Sequence, residues 1–201
     1  SPQGSNETRY VFENWSDGGA QNHTTRCYVG GVFVAYFTMQ HRVNITATPA
    51  DRNLTVDGSS LAVPQSYWWV NGSSHDLEIT SPQMVNGSRY VFSGWSDGGA
   101  MNRTLTVDGP LNLTAAFTLE HLVDLWTTPA GRNLVLDSLT VAGPQSNWWV
   151  DGSTHYLSVD SPQVVNDTRY PFSNWSDGGA TNRTITLSGP FNLTANFTTE
   201  H

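Results

Sequence analysis

Lysine is absent from this chain of 201 residues, and cysteine occurs once. The nine basic residues are therefore all arginines, set against 17 acids for a net charge of −8, a balance that argues against nucleic acid or an anionic membrane as partner. The lone Cys27 cannot close an internal disulfide. Its counterparts one and two repeats on, Val107 and Leu187, are apolar, so it reads as a small core residue. No apolar run approaches the roughly 20 residues of a membrane-spanning helix, so no membrane insertion is expected of this segment. No signal peptide opens the chain either. It starts in mid-repeat, which reads as a processed mature form or as a window of a longer array.

What the chain does have is repetition. Ser-Pro-Gln stands at residues 1, 81 and 161, and everything after it recurs without a gap, giving an 80-residue period. Tyr10, Tyr90 and Tyr170 align, as do Trp15, Trp95 and Trp175, each heading a Trp-Ser-Asp-Gly-Gly-Ala segment, while His41, His121 and His201 close the copies. The expected organisation is a half repeat over 1–40, a full repeat over 41–120 and another over 121–201. Near-identical copies leave no asymmetric place for a single catalytic centre, so no enzyme is expected, and repetition itself is the functional clue.

Asparagine supplies the second clue. Fourteen of the 16 asparagines open an Asn-x-Ser/Thr triplet without proline: Asn6, Asn14, Asn22, Asn44, Asn53, Asn71, Asn86, Asn102, Asn112, Asn166, Asn174, Asn182, Asn192 and Asn196. Chance would place about three or four in that context. Copying explains part of the excess, since Asn22, Asn102 and Asn182 are one site seen three times. Asn44, Asn53, Asn71 and Asn196 have no such triplet at the equivalent place in the neighbouring copy, which points to independent gain. The alternative is a Ser/Thr-rich β protein with accidental triplets. The favoured reading is a chain carrying covalent N-linked glycans, without other cofactor, and therefore extracellular or at the cell surface.

Within a repeat the hydrophobic period is two. Val43, Ile45 and Ala47 alternate with Arg42, Asn44, Thr46 and Thr48; Leu54 and Val56 precede Asp57-Gly58; His75, Leu77 and Ile79 alternate with Asp76, Glu78 and Thr80. Six or seven short strands per 80 residues predict an all-β fold of tandem β-sandwich-like repeats. Trp95 and Trp175 should be buried. Simple alternation from Tyr10 and Phe12 points Asn14 inward, which a bulge near position 14 would repair, and Pro171 suggests a strand at a sheet edge. Parity with Val70 and Val150 makes Trp69 and Trp149 the outward members of their Trp-Trp pairs, hence candidates for sugar stacking or subunit contact.

The Tyr-x-Phe-x-x-Trp-Ser-Asp-Gly-Gly-Ala segment, followed by Arg-Thr-Leu-Thr-Val and Asn-Leu-Thr-Ala-Ala-Phe, resembles divergent internalin-type B repeats of bacterial and archaeal surface proteins. The first half, from Thr48-Pro49-Ala50 to Asp57-Gly58, looks like the small PEGA-type β domains of envelope proteins. The resemblance implies a secreted β module of adhesins, stalks and fibres, and it transfers no catalytic residue.

Asp17, Asp97 and Asp177 read as turn residues capping their own backbone rather than as calcium ligands. No histidine has a second His or Cys at ligand spacing, so no metal site is expected, and no nucleophile–base pair is visible in the sequence. Between copies, the segment from Asn112 through Glu120-His121 to Thr128 contains no Gly, Pro or Ser-rich linker, which predicts stiff joints and a rod. Residues 1–41 carry apolar strand faces without the upstream half that would cover them. These features together point to a glycosylated extracellular filament or stalk subunit of a prokaryote, an archaeon before a bacterium, whose partner is itself in a head-to-tail homopolymer. The alternatives are an adhesin or carbohydrate-binding repeat module, and an accessory region of a secreted hydrolase.

Overall fold

The computed structural model describes residues 2–26 and 30–201; Cys27, expected in the core, lies outside the described residues. The fold is all-β, built from several small sheets. It divides into two compact units, one of Ser1–Ser81 with Phe92–Phe117 and one of Pro82–Val91 with Thr118–His201.

In the first unit the strand Ala35–Thr48 is central. It pairs antiparallel with Thr8–Trp15 and with Gln65–Val70, and its residues 43–48 pair in parallel with 111–116. A separate antiparallel sheet runs in the order Arg103–Thr106, Ser74–Glu78, Asn53–Val56, Ser59–Ala62. The last of these strands follows from the Asp57-Gly58 turn, where both residues take positive φ, 48° and 75°, the geometry of the tight hairpin that Asp-Gly favours.

The second unit repeats the plan. Residues 123–128 pair in parallel with 191–196, Gln145–Val150 pairs antiparallel with 120–125, and Phe172–Trp175 pairs with Phe191–Phe197 at the end of the strand order. Pro171 therefore does border an edge strand. It splits into Thr168–Tyr170 and Phe172–Trp175 the segment that runs unbroken as Ser88–Trp95 one copy earlier, because proline has no N–H for the ladder. The four-stranded sheet here is Leu139–Ala142, Asn133–Leu136, Thr154–Ser158, Arg183–Thr186. Its hairpin turns on Asp137 and Ser138, so a serine at φ 72° stands where the first unit has glycine.

Alternation dictates the core. Val123, Leu125, Leu193, Ala195 and Phe197 from one sheet meet Leu134, Leu157 and Leu187 from the other, and Trp175 is buried among them. Phe172 sits edge-on to both Trp175 and Phe197, an arrangement that aromatic quadrupoles favour. Trp95, Phe92 and Phe117 repeat it in the first unit. The expected bulge is present: pairing slips between Phe12 and Asn14 and between Phe172 and Asn174, so Asn14 and Asn174 face solvent while the following Trp turns inward.

The half repeat differs from the other two copies in one respect. The last strand begins at Leu111 in one copy and at Phe191 in the next, but its counterpart, whose equivalent start is residue 31, begins only at Ala35. Leu111 and Phe191 are held in the ladder by parallel partners at Val43 and Val123; among the described residues, 30–34 have no such partner. Its apolar side chains remain exposed. Phe37 is 39% accessible, whereas Phe117 and Phe197 are 8%.

Trp175→Ala should cost about 3–5 kcal/mol in chemical denaturation, as large-to-small changes at buried aromatics do, and Trp95→Ala likewise. Trp15→Ala, at a half-buried site, should cost clearly less. Ser138→Gly should stabilise by about 0.5–1 kcal/mol, since glycine adopts positive φ without the steric penalty of a side chain.

Candidate functional site

The candidate site is distributed over the surface. Asn6, Asn14, Asn22, Asn53, Asn71, Asn86, Asn102, Asn112, Asn166, Asn174, Asn182 and Asn192 are exposed, and Asn44 and Asn196 are half-buried. None is buried. Asn86 and Asn166 occupy hairpin turns at φ 45° and 49°, a region asparagine tolerates, while Asn112 and Asn192 lie on strands with buried Leu113 and Leu193 next to them.

An N-linked sugar replaces one hydrogen of Nδ2 and leaves Oδ1 free to accept. Several of these amides already use Oδ1. Asn102 Oδ1 accepts the Ile79 N–H at 2.8 Å, Asn112 Oδ1 accepts from Asn44 Nδ2 at 2.7 Å, and Asn174 Oδ1 accepts from Asn196 Nδ2 at 2.8 Å. Asn44 and Asn196 each keep a second Nδ2 hydrogen for substitution.

The Trp-Trp pairs are oriented opposite to expectation. Trp69 and Trp149 are buried, at 8% accessibility, and stack face to face on His75 and His155 with centroids 3.8 Å apart. Val70 and Val150 are the outward neighbours. The parity argument failed because it assumed that valine marks the inner face, whereas the imidazole of the next strand supplies a flat partner for the indole. Trp69 and Trp149 thus offer no open ring to a sugar or subunit. Trp68 and Trp148 are half-buried beneath Arg9 and Arg89, whose guanidinium carbons lie 4.3 and 4.4 Å from the ring centroids.

Those arginines belong to a recurrent joint that the sequence reading missed. Ser88 Oγ lies 2.7 Å from His121 Nδ1, whose Nε2 is 2.9 Å from Asp151 Oδ1, while Arg89 Nε bonds Glu120 Oε2 at 2.6 Å. Thr8, His41, Asn71, Arg9 and Gln40 repeat the pattern in the first unit. Recurrence of Ser/Thr-Arg with His at a fixed offset was the available signal. Both histidines are buried, so their ring nitrogens depend on these partners.

A second constellation was also missed. His75 Nε2 lies 2.9 Å from Ser73 Oγ and Nδ1 lies 2.7 Å from Asp57 Oδ2, and Ser153, His155 and Asp137 reproduce these distances. The connectivity is that of a nucleophilic triad. Ser73 Oγ, however, also donates to Val70 O at 2.7 Å, and the neighbouring N–H groups of Gly72 and Ser73 are spent on Val107 O and Val70 O. Neither of these two N–H groups is therefore left to face an oxyanion, and the relay pins its turn.

The Asp-Gly-Gly turns are as expected: Asp97 Oδ1 accepts the Gly99 N–H at 3.1 Å and Gly98 takes φ 73°. Asp97 Oδ2 binds Arg103 at 2.8 Å, with the guanidinium over Trp95. In the half repeat His23 takes the arginine's place beside Asp17. Among the described residues no group of three or more His, Cys, Asp or Glu could hold a metal ion, and no helix is long and apolar enough to cross a membrane. No family model and no curated protein matches the chain.

The His75 hydrogen bond, with help from the Asp76 N–H, holds Asp57 below the usual carboxylate range. Burial pushes Asp137 up, but the His155 bond and the Tyr156 N–H outweigh it and leave it lowered. A carboxylate depressed in the folded state contributes stability above its unfolded value, about 3.9, and loses it as pH falls through the folded value. The melting temperature should therefore fall as pH drops below about 4, and the Asp57→Asn, Asp137→Asn double variant should show a shallower fall in a pH 2–6 melting series.

Proposed function

We propose that this chain is a structural subunit of a heavily N-glycosylated extracellular filament or surface stalk. Its 80-residue copies, bounded as 1–40, 41–120 and 121–201, act as β-sandwich-like modules that follow one another as a rod and assemble head to tail by β-strand complementation. The observation that carries the glycoprotein half of this reading is that none of the fourteen sequon asparagines is buried. None is sealed in a core, as attachment of a sugar requires, and the fourteen triplets stand well above the roughly three or four that chance would place.

The assembly half rests on the open face of the half repeat. Tyr10, Phe33, Val34, Tyr36 and Phe37 are exposed there, and Gln3–Gly4 covers the outer edge of Thr8–Trp15 only at Arg9 and Tyr10. In the other two copies the positions equivalent to Phe33 and Phe37 are buried: Leu113 and Phe117 in one, Leu193 and Phe197 in the next. A complementing segment from a second copy, the alternative being sequence upstream of residue 1, would supply both the missing ladder and the missing cover. Such a contact joins two different surfaces, so it does not close on itself and yields an open linear or helical polymer. Stiff joints are favoured by the lack of a Gly, Pro or Ser-rich linker from Asn112 to Thr128. The resemblance to surface-protein repeats points the same way, whereas the adhesin alternative loses the exposed Trp69 and Trp149 on which it stood.

Intact-glycopeptide mass spectrometry should find sugar at most of the fourteen sites, Asn14 and Asn174 included; sugar at only a few would return the triplets to chance. Negative-stain microscopy of the purified protein should show filaments. Phe33→Asp with Phe37→Asp should disperse them into monomers with an unchanged circular dichroism spectrum. Wild-type protein that stays monomeric at all concentrations would overturn the assembly half.

A further inference from the structure

Among the described residues Trp126 is the one exposed tryptophan, with half its surface accessible, on a strand whose neighbouring residues Leu125 and Thr127 are buried. Its parallel partner is Thr194, and the pairs on either side are Asp124 with Asn192 and Thr128 with Asn196. Side chains two apart on a strand share a face. Trp126 therefore stands on the same face as Asn192 and Asn196, each a diagonal neighbour within reach of an aromatic side chain.

The preceding copy tells which of the two matters. There, Asn112 is present just as Asn192 is, yet the position equivalent to Trp126 is Thr46, whose hydroxyl bonds Thr114 Oγ1 at 2.9 Å. Asn196 has no such counterpart: the equivalent residue is Ala116, followed by the same Phe-Thr pair. One change from alanine to asparagine makes the sequon, and the copy that carries it also carries the exposed tryptophan. The two differences lie on adjacent strands and face the same way.

We infer that Trp126 is a stacking platform for the sugar linked to Asn196, an inference that rests on the glycoprotein reading above. A secondary amide keeps its substituents trans, so the sugar on Nδ2 is directed away from Cβ and off the sheet. The Asn196 amide gives one Nδ2 hydrogen to Asn174 Oδ1, on the strand that flanks it opposite Trp126, and keeps the second for the sugar. A pyranose turns a face of C–H groups outward from its ring, and the indole offers a matching apolar plane; their contact removes from water a surface that the protein alone leaves exposed. The ligand class is thus the chain's own proximal N-linked sugar residue, held in cis.

The test uses the full chain purified with its glycans. Trp126→Thr and Asn196→Ala import the residues of the preceding copy, so neither should disturb the fold. Hydroxyl-radical footprinting should find Trp126 protected in the wild type, oxidised several-fold faster in Asn196→Ala and unchanged in Asn192→Ala. In a thermal double-mutant cycle, Trp126→Thr should lower the melting temperature of the wild type and have no further effect in Asn196→Ala. Equal oxidation rates with and without the 196 sequon, or additive melting shifts, would overturn the inference. So would protection that depends on protein concentration rather than on Asn196, which would make Trp126 a contact between copies. Glycopeptide analysis separates the remaining failures: a bare Asn196 among occupied sequons sinks this inference alone, and a chain bare at every sequon sinks the glycoprotein reading with it.

Discussion

Each of the two compact units closes its core through one long-range pairing, a parallel alignment of two strands distant in sequence. Val43–Thr48 lie beside Leu111–Ala116, and Val123–Thr128 beside Phe191–Asn196. The pairing sets the phase of both strands, so Val43, Ile45, Leu113 and Ala115 all turn to one side and the outward residues between them to the other. Where it is missing, as before Ala35, the strand shortens and the aromatic side chains surface. The buried Trp of each full copy needs the same pairing, because its indole fills the space between two sheets that only this alignment brings into phase.

Turns and joints hold that alignment in place. The Asp-Gly-Gly corner binds its own backbone, and its carboxylate draws Arg103 across the Trp95 ring. Gly99 leaves the room for this, since a side chain there would meet the guanidinium. At the opposite end of the strand, His41 and His121 bridge a hydroxyl on one segment to an Asn or Asp on another. Aromatic, cationic and imidazole groups thus pair repeatedly across strands, which gives polar atoms partners in a protein with few charges.

An N-glycosylated strand surface reconciles two demands. Outward positions on a sheet must be polar, and in a chain with no lysine asparagine and threonine fill them, which places Asn-x-Thr in phase with the pleat: the asparagine and the threonine share the outer face and the middle residue points in. Asn192, Leu193 and Thr194 show this directly, with Leu193 buried. Sequon and strand therefore reinforce each other. The bulge after Phe12 and Phe172 is what lets Asn14 and Asn174 obey the same rule.

The period of 80, the alternation of two, the turn chemistry at Asp57-Gly58 and the exposure of the sequons are all local or repetitive properties, and the sequence by itself determined them. The bulge was legible as well, because simple alternation from Tyr10 and Phe12 would turn Asn14 inward and Trp15 outward. The orientation of the Trp-Trp pairs was not legible, since adjacent strand residues of one kind carry no parity label, and their direction was set by His75 and His155 arriving from another strand. The Ser73–His75–Asp57 relay and the His121 joint unite residues up to 33 positions apart, and the proximity of Trp126 to Asn196 spans 70 residues of chain. Only tertiary pairing decided these, because register between distant strands is fixed by which apolar faces meet and not by any one segment's own pattern.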